Sequence, residues 1–203
     1  MKKFKHTILP VYDAKGNCVA EMRSVNMADC ENDELIMKLN RWRSKARESF
    51  FTQFEPELEK TRSWMIEQVV QRSDRVMFLI SSNDNVVGYC GLVNICFESG
   101  AAELDGILRG HDADAKPNIM YWSEKALIKW CFEFLTIERL YAKIFAHNFP
   151  SISLFARLGL HKKAMEHMRR IDSGGVVRFE RTDDPAGAKV CVMEIIRGDV
   201  VSI

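Results

Sequence analysis

Short stretches of this chain alternate apolar and polar residues with period two, and between them apolar residues recur at helical spacing. Residues 18–25, Cys18-Val19-Ala20-Glu21-Met22-Arg23-Ser24-Val25, alternate as a first strand after the turn Asp13-Ala14-Lys15-Gly16-Asn17. Over 33–51 the spacing of Leu35, Ile36, Leu39, Trp42 and Ala46 predicts a helix, which Glu55-Pro56 breaks. A second helix follows, with Leu58, Trp64, Met65, Val69 and Val70 on its core side. Residues 76–80 and 86–93 flank Asn83-Asp84-Asn85 and predict a hairpin, with a third antiparallel partner over 102–108 after Ser99-Gly100.

A polar stretch, 110–118, leads into a helix over 119–135 whose Ala126, Leu127, Trp130, Cys131 and Phe134 form an apolar stripe. Residues 140–145 alternate as another strand. Ile152, Phe155 and Leu158 then share one face of a short helix; Pro150 suits its first turn and Gly159 a left-handed end. Strands over 164–171, 176–181 and 189–196 close the chain, the first two joined by Gly174-Gly175. This order is neither a regular βαβ alternation nor an all-β pattern. It predicts an α/β (α+β) fold, a mixed, mostly antiparallel twisted sheet with helices on both faces. With no repeat, linker or low-complexity segment, residues 1–203 read as one domain.

The most informative stretch is Asn148-Phe149-Pro150-Ser151-Ile152-Ser153-Leu154-Phe155-Ala156-Arg157-Leu158-Gly159. It resembles the N-x-x-S-x-x-x-[YF]-x-x-x-G-[FL] signature of the GNAT superfamily of N-acetyltransferases, whose element order is also the one predicted above. The resemblance covers residues 18–196 in element order and rests on specific residues between 103 and 160. It implies a GNAT-like sheet, acetyl-CoA as cosubstrate and a primary amine as acceptor.

The step from strand 102–108 through the polar loop into helix 119–135 is the candidate cofactor site. A helix N-terminus offers unpaired N–H groups and a positive dipole end to phosphate oxygens. The resemblance implies that the pyrophosphate of coenzyme A rests here, at Arg109, Gly110, His111, Lys116, Asn118 and Ile119. It implies that the pantetheine amides pair with the backbone of the preceding strand, at Ile107 and Leu108, where Gly106 permits a bulge. Asn148 and Phe155 resemble the family residues that touch the coenzyme, and Asn148 also suits a plain helix cap. The usual family loop, Q/R-x-x-G-x-G/A, is matched only through Arg109-Gly110. The remainder carries Asp112 and Asp114, which repel phosphates unless they point outward.

Acyl transfer to an amine needs an uncharged nitrogen, and a lysine-like amine is neutral in only about one molecule in 2,000 at pH 7. A general base is therefore expected. Glu103 and Asp105 lie two apart on the cofactor-proximal strand, hence on one face, and either can relay the proton; Asp105 adjoins the expected bulge. The proton donor is open. Phe155 stands where many family members carry tyrosine, which leaves Ser151, Ser153, Tyr141 or a water as substitutes.

On the acceptor side, Trp42, Arg43 and Arg47 are the candidates, with the two arginines one turn apart on a helix. Paired arginines suit phosphate or carboxylate, and a solvated basic face is the competing reading. The region resembles GNAT enzymes acting on nucleotide-linked amino sugars, and also the RimJ/RimL-like branch that acetylates ribosomal-protein N-termini. A small-molecule amine is the expected acceptor. A protein N-terminal or antibiotic acetyltransferase, and a non-catalytic acyl-CoA-binding module, remain alternatives.

Composition narrows this further. Twenty-nine basic against 28 acidic residues argue against a general nucleic-acid partner. No apolar run reaches the length of a membrane span, and no signal-peptide core follows the basic start, so a cytoplasmic chain without membrane contact is expected. The six cysteines show no metal-like spacing and predict buried free thiols, with no metal. The C-terminal strands could pair across a homodimer edge.

Overall fold

The computed structural model describes residues 4, 6–55, 57–111 and 116–202. Pro56, Asp112 and Asp114, together with most of the basic start, lie outside the described residues. In chain order the elements are β1 (Ile8–Tyr12), β2 (Cys18–Ser24), α1 (Met27–Glu31), α2 (Asp33–Lys45), β3 (Thr52–Gln53) and α3 (Leu58–Met65), which continues as a π-helical turn over Ile66–Val70. There follow β4 (Val76–Ser82), β5 (Asn85–Cys96), β6 (Ala101–Arg109), α4 (Ile119–Phe134), β7 (Arg139–Phe145), α5 (Phe149–Arg157), β8 (His161–Ser173), β9 (Val176–Thr182) and β10 (Ala188–Ile196).

The strands form one sheet in the order β1-β2-β4-β5-β6-β7-β10-β8-β9-β3. Every pairing is antiparallel except β6 with β7. The predicted mixed, mostly antiparallel sheet is therefore present. The β4–β5 hairpin turns through Asn83 and Asp84, both at positive φ, the geometry that two-residue loops require. Gly174 and Gly175 do the same between β8 and β9.

Helices cover both faces. On one face α4 and α5 pack Ile119, Leu127, Cys131, Phe155 and Leu158 against Phe78, Cys90, Leu104 and Leu140. On the other, α1–α3 pack Ile36, Leu39, Trp42 and Met65 against Leu79, Tyr89 and Leu108. Fully burying each large apolar side chain contributes roughly 1.5–3 kcal/mol. Under the C-terminal strands the buried cluster shrinks to Phe145, Met168 and Val190, with Phe51 and Phe179 against it.

Several local expectations are corrected. β1, α1 and β3 were not anticipated. The helix predicted over 33–51 stops at Lys45, and a 3-10 turn, Arg47–Ser49, replaces its end. Phe134, expected on the apolar stripe of α4, is 74% exposed because it falls in the last turn, past the sheet. The last strand in sheet order is not a C-terminal one but the two-residue β3, which pairs with Val177 and Arg178 on the outer side of β9. Cys30, Cys90, Cys131 and Cys191 are buried free thiols, as expected, whereas Cys18 is exposed.

Candidate active site

β6 and β7 lie side by side for only three rungs, Ala101↔Arg139, Ala102↔Leu140 and Glu103↔Tyr141. Beyond Glu103, β6 continues to Arg109 along β5, and β7 continues to Phe145 along β10. The two strands thus part into a fork within one sheet. One polar rim of this fork is backbone, the side of β6 from Leu104 to Leu108 that pairs with no strand.

A bulge sits on that rim. Between the rungs Tyr89↔Leu108 and Gly91↔Asp105, Gly106 and Ile107 of β6 oppose the single residue Cys90. Gly106 is in the left-handed region at φ +67, as a glycine-type bulge requires. The extra residue reverses the alternation, so that Leu108 joins the α1–α3 face while Ile107 packs toward α4. Beside the bulge, Arg43 donates from Nη1 to the Tyr89 hydroxyl at 3.1 Å. Its guanidinium lies between the rings of Phe50 and Trp64, 4.3 and 4.1 Å from their centroids.

At the end of β6, Gly110 donates its N–H to Val87 and lies on Trp42; a Cβ there would come within 2.2 Å of the indole. His111 and Lys116 are exposed at either side of the loop. Asn118 precedes the 16-residue α4 in the left-handed conformation and makes no side-chain cap, and the Ile119 N–H donates to the Lys116 carbonyl at 3.3 Å. Across the fork, Asn148 accepts from the Ser151 N–H and caps α5, while Phe155 is buried. Arg157 of α5 lies over the Tyr121 ring of α4.

On the α1–α3 face of the fork stands a polar cluster. Asn94 of β5 adopts positive φ at a second bulge and donates from Nδ2 to Glu103 Oε2 at 2.8 Å. Tyr141, opposite Glu103 on β7, shares hydrogen bonding with both. Burial, then the neighbouring Asp105, lift the Glu103 carboxyl above its ordinary range, while Asn94, Lys143 and Tyr141 draw it back. Burial and Glu103 raise the Tyr141 phenol. Asp105 is exposed. It lines a cleft with Trp64, Arg75 and Gly106, which opens at Trp64 and Arg75 into a groove between α3 and β3/β9. Glu59, Lys60, Glu67, Phe54 and Arg178 are among the groove's walls. On the opposite face Glu124 of α4 is fully buried beside Cys90, and burial pushes its carboxyl up to about 8.

Glu103, Asp105, Ile107 and Leu108 therefore line one limb of the fork, and Arg109, Gly110, His111, Asn118 and Ile119 follow it into α4. The three acceptor-side candidates are engaged within the fold. Trp42 is buried under Gly110, Arg43 is caged in the core, and Arg47 pairs with Glu55 at 2.6 Å. The arginines are not on one helix, since α2 ends between them, although both border a small cavity with Phe50 and Phe54. Asn94, Tyr89, Arg75 and Glu124 were missed. Asn94 carried a signal, an asparagine interrupting an apolar strand; so did Glu124, a carboxylate at the spacing of the apolar stripe of α4.

Among the described residues, no group of three His, Cys, Asp or Glu side chains could hold a metal ion, and no helix is long and apolar enough to cross a membrane.

The acetyltransferase (GNAT) domain family matches residues 28–161. No curated protein matches the sequence. Solved structures similar to the chain include RimL, a ribosomal L7/L12 alpha-N-protein acetyltransferase in complex with coenzyme A. It has a TM-score of 0.66 and 19% identity, covering 94% of this chain and 98% of that one. An acetyltransferase from Salmonella typhimurium that modifies the N-terminal serine of L7/L12 has a TM-score of 0.68 and 18% identity, covering 94% and 99%. A variant of spermidine N-acetyltransferase SpeG from Vibrio cholerae has a TM-score of 0.67 and 13% identity, covering 92% and 98%.

Proposed function

Since the chain belongs to the GNAT acetyltransferase family and is an acetyl-CoA-dependent N-acetyltransferase, we propose that it acetylates the α-amine of a polypeptide, with Glu103 as general base. The observation that carries this reading is the fork: a thioester arm needs a strand edge to pair with and a gap to lie in, and β6 beyond Glu103 offers both. The pantetheine amides would pair with the backbone of Ile107 and Leu108. The phosphates would rest on the first turn of α4, with Arg109, His111 and Lys116 nearby and Asn148 on the other limb.

The acceptor would approach from the groove between α3 and β3/β9. That groove carries both signs of charge, Glu59 and Glu67 against Lys60, Arg75 and Arg178. Mixed charge suits a peptide better than a uniformly cationic polyamine. An α-amine, with an ordinary pKa near 7.7–8.0, is also about a tenth neutral at pH 7, so one buried carboxylate suffices to complete its deprotonation. The nucleotide-linked amino sugar loses the arginine pair that motivated it, because Arg43 is caged and Arg47 is paired with Glu55. Asp105, exposed at the mouth of the cleft, would attract the incoming ammonium, with Glu103 behind it.

Thiol release from acetyl-CoA over a panel of short peptides with differing N-termini, spermidine and amino sugars tests this. Release with peptides at well above the rate with the small amines is the expected result. Release only with spermidine or a sugar overturns the peptide assignment, and binding of acetyl-CoA without release for any amine favours a non-catalytic module.

A further inference from the structure

The net reaction moves one proton from nitrogen to sulfur, yet Phe155 has no proton to give. The fork holds another candidate. Tyr141 occupies the last rung before β6 and β7 separate, directly opposite Glu103. In a parallel pair, side chains on one rung point to one face, so the phenol and the carboxylate stand together on the acceptor side. Asn94 fixes this arrangement from the third strand: its Nδ2 holds Glu103 Oε2 at 2.8 Å, and only the bulge at Asn94, with φ +52, aims that amide at the fork. A non-glycine residue held at positive φ in mid-strand is a local cost that the surrounding structure must sustain.

We propose that Tyr141 is the proton donor to the departing thiolate and that Glu103 and Tyr141 form a two-member relay, with Asn94 as its positioning residue. The proposal rests on the acyl-transfer reading above. As the amine nitrogen bonds to the acetyl carbon, its proton passes to Glu103. As the carbon–sulfur bond breaks, Tyr141 gives its hydroxyl proton to the sulfur. Glu103 then returns its proton to the phenolate oxygen. One proton has moved from nitrogen to sulfur, no oxidant or reductant is needed, and both side chains end as they began. The raised phenol keeps Tyr141 protonated in the resting enzyme, and the raised carboxyl makes Glu103 a stronger base than an exposed glutamate.

The test uses the full-length chain and its Tyr141→Phe variant, with Asn94→Gly as a companion that keeps the backbone conformation open but removes the amide. Affinities for coenzyme A and for desulfo-coenzyme A, which lacks the sulfur, are measured by calorimetry; kcat and KM are measured with the best amine of the panel. The expected result is a roughly 10²-fold lower kcat in Tyr141→Phe with the KM for acetyl-CoA within about threefold, as for loss of an acid–base group. The preference for coenzyme A over its desulfo form should also vanish in that variant. Asn94→Gly should lower kcat severalfold and move the acidic limb of the rate profile to higher pH, because the amide holds the Glu103 carboxyl down. A kcat within threefold of the parent, or a sulfur preference that survives Tyr141→Phe, overturns the relay. If the parent turns over no amine, the acyl-transfer reading fails, while the desulfo comparison still decides whether Tyr141 meets the sulfur.

Discussion

Two antiparallel ladders flank the fork, and they are built differently. The β7–β10 ladder runs through seven consecutive rungs, from Val190↔Phe145 to Ile196↔Arg139, without a shift in register. The β5–β6 ladder shifts twice, at Gly106-Ile107 and at Asn94. The regular ladder makes a wall whose side chains alternate predictably. The irregular one turns backbone and side chains toward the gap: Gly106 reverses the facing of everything after it, and Asn94 reaches the carboxylate at the fork. The fork opens where regular pairing is given up, beside a ladder that stays regular.

The largest expected consequence is at Glu103, where both shifts converge. Glu103→Gln keeps the shape and the contact with Asn94 but cannot take a proton. It should lower kcat roughly 10²–10⁴-fold, with acetyl-CoA affinity by calorimetry unchanged. A loss below tenfold would move the base to Asp105.

Much of this fold could be read in advance because its signals are local. The β4–β5 and β8–β9 turns were legible from Asn83-Asp84 and Gly174-Gly175, and α5 from Asn148, Pro150 and Gly159. The bulge was legible from Gly106. β1 was hidden because Pro10 interrupts its pattern; the strand exists as a sheet edge, where a missing N–H costs little. The insertion of β10 between β7 and β8 leaves no local trace. Arg43 misled for a tertiary reason. Helical spacing paired it with Arg47, but α2 ends at Lys45, and the Arg43 stem passes into a cage made by Phe50 and Trp64. The groove lined by Glu59, Glu67 and Arg178 was invisible, since α3, β3 and β9 meet only in the folded chain.

Behind the irregular ladder, Glu124 tests how much the fold sacrifices there. Its carboxyl is pushed from 4.5 to about 8 by burial, against the pull of the neighbouring Cys90 thiol. The folded chain therefore keeps a proton that the unfolded chain releases above pH 4.5. This group's share of stability is fully present below that pH and is lost as pH rises toward 8, at about 1.4 kcal/mol per unit, a few kcal/mol in all. Glu124→Gln should flatten that decline in urea unfolding between pH 5 and 8, and parallel curves for the two proteins would refute it.

At the outer end of β6, Gly110→Ala would drive a methyl group into Trp42. Overpacking of this kind costs about 1–3 kcal/mol, and displacement of the loop should weaken acetyl-CoA binding about tenfold. Trp42→Phe in the same chain should recover part of both losses, because the smaller ring vacates the space. Additive losses in the double variant would show that the indole is not what requires glycine.

The smallest effect belongs to the charges beside the regular ladder. Lys163 of β8 pairs with Glu194 of β10 at 3.2 Å, and Arg139 of β7 reaches the same carboxylate at 3.5 Å. The lysine is 61% exposed, so water screens the pair, and Glu194 keeps a cationic partner when Lys163 is removed. Lys163→Ala should cost less than about 1 kcal/mol, a difference that shrinks in high salt, with kcat unchanged. The backbone rungs and the apolar contacts beneath them carry this wall, and its charges do not. A loss of several kcal/mol on unfolding, or any change in kcat, would mean that the ladder's surface charges hold the fork open after all, and the contrast between the two ladders would fail.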